Sequence, residues 1–153
     1  MKKTNIIIII SICFMAASIF LMCLPYGVAM KFVNNPGPPM EYATFNYSYI
    51  SGMPIGYGNW FPIITVIISF TVLLMLIVSA SRNSKSVTGS KNATMICLSI
   101  CVIATLLSWL LFSSVSVIGV IVCILHFATL TLQIISNKIK SEERNEKMLS
   151  LSM

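Results

Sequence analysis

Long apolar stretches separated by short polar segments organise this chain. They cover residues 6–26, 61–81, 94–112 and 115–136, and each has about the 20 residues that a helix needs to cross a hydrocarbon core. The pattern predicts an all-α, integral membrane four-helix bundle that forms one domain over residues 1–153. The first stretch is longer than a signal-peptide core and no small-residue cleavage site follows it, so we expect it to be retained as a span.

The basic residues fall almost entirely on one side of these stretches. Nine of the ten lie before the first span, in the segment 82–93 or in the tail 137–153, whereas Lys31 lies in the segment 27–60. Because basic residues concentrate on the cytoplasmic side, this predicts an N-in, C-in protein of the cell membrane, with a cytoplasmic loop at 82–93. The segment 27–60 then supplies one outer loop of 34 residues. The net charge of +6 indicates a lipid bilayer partner rather than nucleic acid, because the charges flank spans.

The outer loop combines turn-forming and aromatic residues. The run 34–39 reads Asn-Asn-Pro-Gly-Pro-Pro, which excludes regular helix because proline lacks the backbone donor. The alternation of Phe45, Tyr47 and Tyr49 with polar neighbours allows a short strand. Amphipathic aromatic side chains concentrate at lipid headgroups, so we expect the second half of the loop to lie on the membrane surface.

A glycine-rich turn leads from the outer loop into the second span. Asn59 is expected to cap that helix, and Pro62 fits its first turn. We take the turn residues as a candidate structural or protein-interaction site: Tyr57, Asn59, Trp60 and Pro62.

One histidine stands alone among the spans. No Asp, Glu, Lys or Arg occurs inside any of the four stretches, and His126 lies near the middle of the fourth, two turns from Gln133. An ionisable residue at this depth is a functional candidate, for instance a proton relay. Burial, however, favours the neutral imidazole, which could simply donate a hydrogen bond to a hydroxyl such as Ser69 or Thr105, or to a backbone carbonyl. His126 and Gln133 therefore form a candidate intramembrane polar site with two interpretations.

Small and polar residues recur at three- and four-residue intervals on the third and fourth spans, as at Cys97, Cys101 and Ala104. Such stripes are typical of close helix packing in lipid. All five cysteines lie within the spans, which excludes a disulfide inside the outer loop, and none forms a Cys-x-x-Cys pair. His126 with Cys123 supplies too few ligands for a metal. We expect neither an enzyme nor a cofactor or metal site.

The stretch 49–62, YISGMPIGYGNWFP, runs into a threonine-containing span. It resembles small uncharacterised four-span membrane proteins of low-GC Gram-positive bacteria, in which a Pro-Phe-Gly-Tyr-like turn precedes the second helix. The resemblance covers about twenty residues and implies a bacterial cytoplasmic membrane. It implies no activity.

Three functions stay open on the sequence. The absence of catalytic residues, the small-residue helix faces and the aromatic loop favour a non-enzymatic protein that binds another protein in the membrane, as an accessory or immunity-type subunit. The alternative is a small oligomeric transporter or pore that uses the His126 face. An enzyme of unfamiliar chemistry is the third. The expected partner is a membrane protein or a second copy of the chain.

Overall fold

The structure is a computed structural model that describes residues 3–35, 37–39, 41–51, 58–81, 88–113 and 115–152. Its elements in chain order are α1 (Lys3–Cys23), β1 (Val28–Asn35), β2 (Glu41–Tyr47), α2 (Phe61–Ser81), α3 (Thr88–Phe112) and α4 (Val117–Ser152). All four helices are long and apolar enough to cross a membrane, which confirms the prediction of four candidate spans.

The all-α prediction was wrong in one respect, because β1 and β2 form an antiparallel hairpin in the segment taken as a loop. The register pairs Val28 with Tyr47 and Met30 with Phe45, and an irregularity follows Val33. Directly opposite residues share one face of a sheet. The apolar residues Val28 and Met30 are buried on that face, so burial of alternate side chains explains why the segment is extended.

Two helices are longer than their predicted spans. α4 runs for 36 residues, about 54 Å at 1.5 Å per residue, and so continues well past the predicted end at Ser136. The charge pair Lys138/Glu142, spaced i,i+4, suits such an extension. α3 begins at Thr88 rather than at 94.

The four helices form a ring in chain order. Close contacts join α1 to α2, α2 to α3, α3 to α4 and α4 back to α1, so α1 stands opposite α3 and α2 stands opposite α4. Ser113 joins α3 to α4 with a positive φ of 49° and donates its N–H to the Trp109 carbonyl at 3.0 Å. This is the left-handed C-cap that allows so tight a reversal.

Two apolar clusters fill the interior. The hairpin-side cluster lies where the hairpin meets the bundle, and the distal cluster lies nearer the other end. The members of the first are Met22, Val28, Met30, Tyr49, Val66 and Val122. The members of the second are Met15, Val72, Leu76 and Leu98.

Candidate functional site

His126 lies at the centre of the bundle and is fully buried. Its Nε2 is 2.8 Å from the Ser69 hydroxyl on α2 and 3.5 Å from the Ser18 hydroxyl on α1. Cys101 on α3 contacts the same Ser69 hydroxyl at 3.7 Å. We call these four side chains, one from each helix, the His126 node. Since α2 and α4 stand on opposite sides of the ring, the imidazole bridges the bundle across its middle.

The hydrogen-bond partners determine the tautomer of this histidine. Nδ1 is 2.9 Å from the carbonyl oxygen of Val122, and a carbonyl accepts only, so Nδ1 carries the proton. Nε2 of a neutral ring then accepts from a hydroxyl. Ser69 Oγ can donate there or to the Thr65 carbonyl at 2.7 Å, because it has one proton for two acceptors.

The expected partners of His126 were partly right. The contacts with Ser69 and with a backbone carbonyl are confirmed, although the ring donates only to the carbonyl, because the unprotonated Nε2 has no proton to give to the hydroxyl. Thr105 is not a partner, because its hydroxyl donates to the Cys101 carbonyl of its own helix at 2.9 Å. Threonine in a helix commonly makes this bond to the carbonyl four residues back.

Apolar layers cover the His126 node on both sides. The hairpin-side cluster lies on one side and the distal cluster on the other. Polar groups in such a layer bond to one another because no water is within reach. The order is the same on three helices: Met22, Ser18, Met15 on α1; Val66, Ser69, Val72 on α2; and Val122, His126, Leu130 on α4.

Gln133 belongs to a separate contact. Its side-chain amide donates to the Ser11 hydroxyl of α1 at 2.9 Å. Gln133 is two turns, about 10 Å, along α4 from His126. The two residues predicted as one polar site therefore make two distinct interhelical hydrogen bonds.

The predicted turn site does not form one surface. Asn59 is buried, and its side-chain amide donates to Ser108 on α3 at 2.9 Å. The expectation that Asn59 caps α2 was wrong, because the first helical bond runs from the Ile64 N–H to the Trp60 carbonyl, which makes Trp60 the capping position. Trp60 is exposed, whereas Pro62 is buried in the first turn as expected. Tyr57 lies outside the described residues.

Tyr49, which sequence patterns place among the surface aromatics, fixes the hairpin to the bundle. It is 4% exposed, and its N–H donates to the Met22 carbonyl at the end of α1, at 3.0 Å. A Cβ on Gly27 would come within 2.7 Å of its ring, and one on Gly119 would lie 3.2 Å from its hydroxyl oxygen. Burial raises the pKa of the Tyr49 phenol, and the nearby Cys123 raises it further. The ring is thus held between two glycines far apart in sequence.

Ser116 completes this anchor. Its Oγ accepts the Gly119 N–H at 2.9 Å, which is the usual N-cap bond to the third residue of a helix. The same hydroxyl donates to the Gly27 carbonyl. One side chain therefore caps α4 and ties it to the start of the hairpin. We call Tyr49, Gly27, Ser116, Gly119 and Met22 the Tyr49 anchor.

The described residues contain no cluster of three or more His, Cys, Asp or Glu side chains that could hold a metal ion. The five cysteines are free thiols. Cys101 shares Ser69 with His126, and a soft metal there would have two protein ligands, fewer than structural or catalytic sites use.

In comparisons with known proteins, no protein-family model, no curated protein and no solved structure matches this chain. The resemblance to four-span proteins of Gram-positive bacteria stays a prediction.

Proposed function

We propose that this chain is a multi-pass protein of the cell membrane that carries out no catalysis and acts by binding another protein in that membrane. Both termini and the segment 82–93 face the cytoplasm, and the hairpin faces outward. The placement of nine of the ten basic residues supports this orientation.

The contrast between interior and hairpin carries the proposal. Near the centre of the bundle, buried polar side chains bond to neighbouring helices, as His126 and Gln133 do, or to their own backbone, as Thr129 does. They are thus used for assembly of the bundle. The hairpin and the turns beside it instead expose large apolar side chains, and aromatic residues of this kind are enriched in protein interfaces. The exposed residues are Tyr26, Val33, Tyr42, Phe45, Ile50 and Trp60.

Native-level isolation tests the proposal. The chain is tagged at the C-terminus, extracted in mild detergent and analysed by native gel and mass spectrometry beside a Tyr42→Ala/Trp60→Ala double variant. The matched control is Ile96→Ala, which shortens a side chain of α3 that is as exposed as Tyr42 and Trp60 and lies near the distal cluster, away from the hairpin. We expect a stoichiometric second protein with the parent and the control, and its loss from the double variant. Retention of the same protein by all three would place binding elsewhere, and the absence of any second protein would refute a heteromeric partner.

The second candidate function is a small oligomeric transporter or pore that uses the His126 face. Its support is the central position of His126, where side chains from all four helices meet. Transport would require the two apolar clusters to separate. In sealed vesicles, His126→Leu should then abolish proton- or solute-coupled flux while the protein stays folded, and unchanged flux would remove this candidate.

A further inference from the structure

Among the described residues, no third strand covers the outer edge of β2, the second strand of the hairpin. Within the described residues the sheet consists of β1 and β2 only, so one edge of β2 has no strand beside it. Along an edge strand, alternate residues direct their backbone N–H and C=O groups away from the sheet, which makes the strand a template for pairing. β2 contains neither proline nor lysine, the residues that commonly block such pairing.

The side chains of β2 are also unusually exposed for a strand packed on a helical bundle. Its residues Glu41, Tyr42, Thr44, Phe45 and Asn46 are all exposed, so side chains of both faces reach the surface. The unpaired edge and the exposure of both faces point to an additional strand beside β2.

We infer that this strand is β2 of a second copy, paired antiparallel about a two-fold axis at Thr44, so that two hairpins form one four-stranded sheet. The inference rests on the proposed function only in that binding occurs at the hairpin, and it names the partner there as a second copy of this chain.

The side chains fit this register. In this register Thr44 lies opposite the partner's Thr44, and the small side chain of Ala43 lies opposite the large ring of the partner's Phe45. Ala43 is also the neighbour of Phe32 on β1. Phe32 pairs with Ala43 within the hairpin and already stacks edge-on with Phe45, at a centroid distance of 5.7 Å. Each Ala43 therefore provides room for an aromatic ring between two neighbours. On the other face, Tyr42 lies opposite the partner's Asn46.

The charges of the hairpin do not oppose the pairing. Glu41 would lie opposite the partner's Tyr47, at the far end of the strand from the partner's Glu41. Lys31 pairs with Thr44 inside the hairpin, so the two Lys31 side chains would be three strand spacings apart, about 14 Å. That is beyond the screening length of about 8 Å at physiological salt.

Membrane geometry favours a second copy over another arrangement. Copies in one membrane share their orientation, so a dimer axis runs along the bilayer normal. The buried face of the hairpin packs on the ends of the helices through Val28 and Met30, which leaves the edge of β2 directed sideways. An axis along the normal can then bring two such edges together antiparallel.

Cysteine cross-linking tests both the dimer and its register. Thr44→Cys should form a disulfide-linked dimer when an oxidant is added to native membranes, because directly opposite Cα atoms are about 4.5–5.5 Å apart, within disulfide reach. Tyr42→Cys and Asn46→Cys should each fail alone, since each residue lies about 14 Å along the strand from its own copy. Coexpressed, the two variants should cross-link with each other. Lys31→Cys on β1 is the matched control, and the parent chain gives the background from the native cysteines.

Absence of the Thr44→Cys dimer, or equal cross-linking by Lys31→Cys, would overturn the inference. The cross-linking experiment and the native isolation test different claims and can give different results. A foreign protein bound to a chain that does not cross-link would uphold the proposed function and refute the dimer. Cross-linking at the predicted register without any foreign protein would uphold the dimer and refute the heteromeric partner.

Discussion

The His126 node and the Tyr49 anchor each bring together distant parts of the chain around one large side chain, but by different means. His126 contacts Ser69 and Ser18 across the middle of the bundle at 2.8 and 3.5 Å, and Ser69 in turn contacts Cys101 at 3.7 Å. Tyr49 lies against two glycines and makes a backbone hydrogen bond at the hairpin end. The first depends on polar pairing and the second on close packing.

The difference follows from the surroundings of each site. Between spans there is no hydrophobic drive toward helix contact, because lipid tails are as apolar as the side chains. Polar pairs such as Ser69–His126 therefore specify which helix faces meet. At the hairpin, beyond the apolar stretches, burying an aromatic ring removes apolar surface from water. The free energy of the Tyr49 anchor should thus be larger than that of any single contact within the bundle.

The largest expected effect is from Tyr49→Ala. Truncating a buried aromatic ring costs about 3–5 kcal/mol, and this change also frees the hairpin from α1 and α4. Unfolding in mixed detergent micelles gives the free energy, and amide hydrogen exchange of β1 and β2 should rise strongly. Tyr42→Ala is the matched control, because Tyr42 is an exposed tyrosine of the same hairpin and should change stability by no more than about 0.5 kcal/mol.

Equal effects of the two substitutions would contradict the Tyr49 anchor. The hairpin would then be held mainly by the pairing of β1 with β2.

The four spans were predictable because lipid imposes a strict requirement on length and polarity. The burial of Tyr49 was not, because the residues that receive it, Gly27 and Gly119, are 22 and 70 positions away. Sequence periodicity reports local structure and cannot show which distant glycines will meet a ring. β1 had a local signal in the alternation of Val28, Met30 and Phe32, but the apolar residues Ala29 and Val33 beside them obscured it.

The hydrogen bonds of the polar interior were predictable only in part, because the sequence gives the depth of a side chain but not its partner. Ser69 was named as a partner of His126 because it occupies a polar position at similar depth. Thr105 lies at a comparable depth, but its hydroxyl bonds within α3. Depth follows from the sequence, whereas the choice between a neighbouring helix and the residue's own backbone depends on rotamer and crossing geometry.

The next effect tests whether the His126 node is held by volume or by hydrogen bonds. His126→Ala removes a central side chain and leaves a cavity, which should cost roughly 2–4 kcal/mol. His126→Leu fills most of that volume and loses only the polar contacts, so it should cost about 1–2 kcal/mol. Unfolding in mixed micelles measures both. If the leucine variant were as unstable as the alanine variant, polar pairing would supply most of the stability at this position, and the node would be far stronger than interhelical bonds usually are.

The smallest expected effect concerns Gln133 and Ser11, the pair that links α4 to α1 away from the node. A double-mutant cycle with Gln133→Leu and Ser11→Ala should give a coupling energy near 0.6 kcal/mol, the average for interhelical hydrogen bonds in membranes. The cycle isolates the pair because each single change removes the same contact. A matched cycle between Gln133→Leu and Ser18→Ala, a serine of the same helix that contacts His126 instead, should show no coupling. Coupling in both cycles would mean that the Gln133 contact and the node act as one network, and the polar residues of α4 would then form the single site that their spacing first suggested.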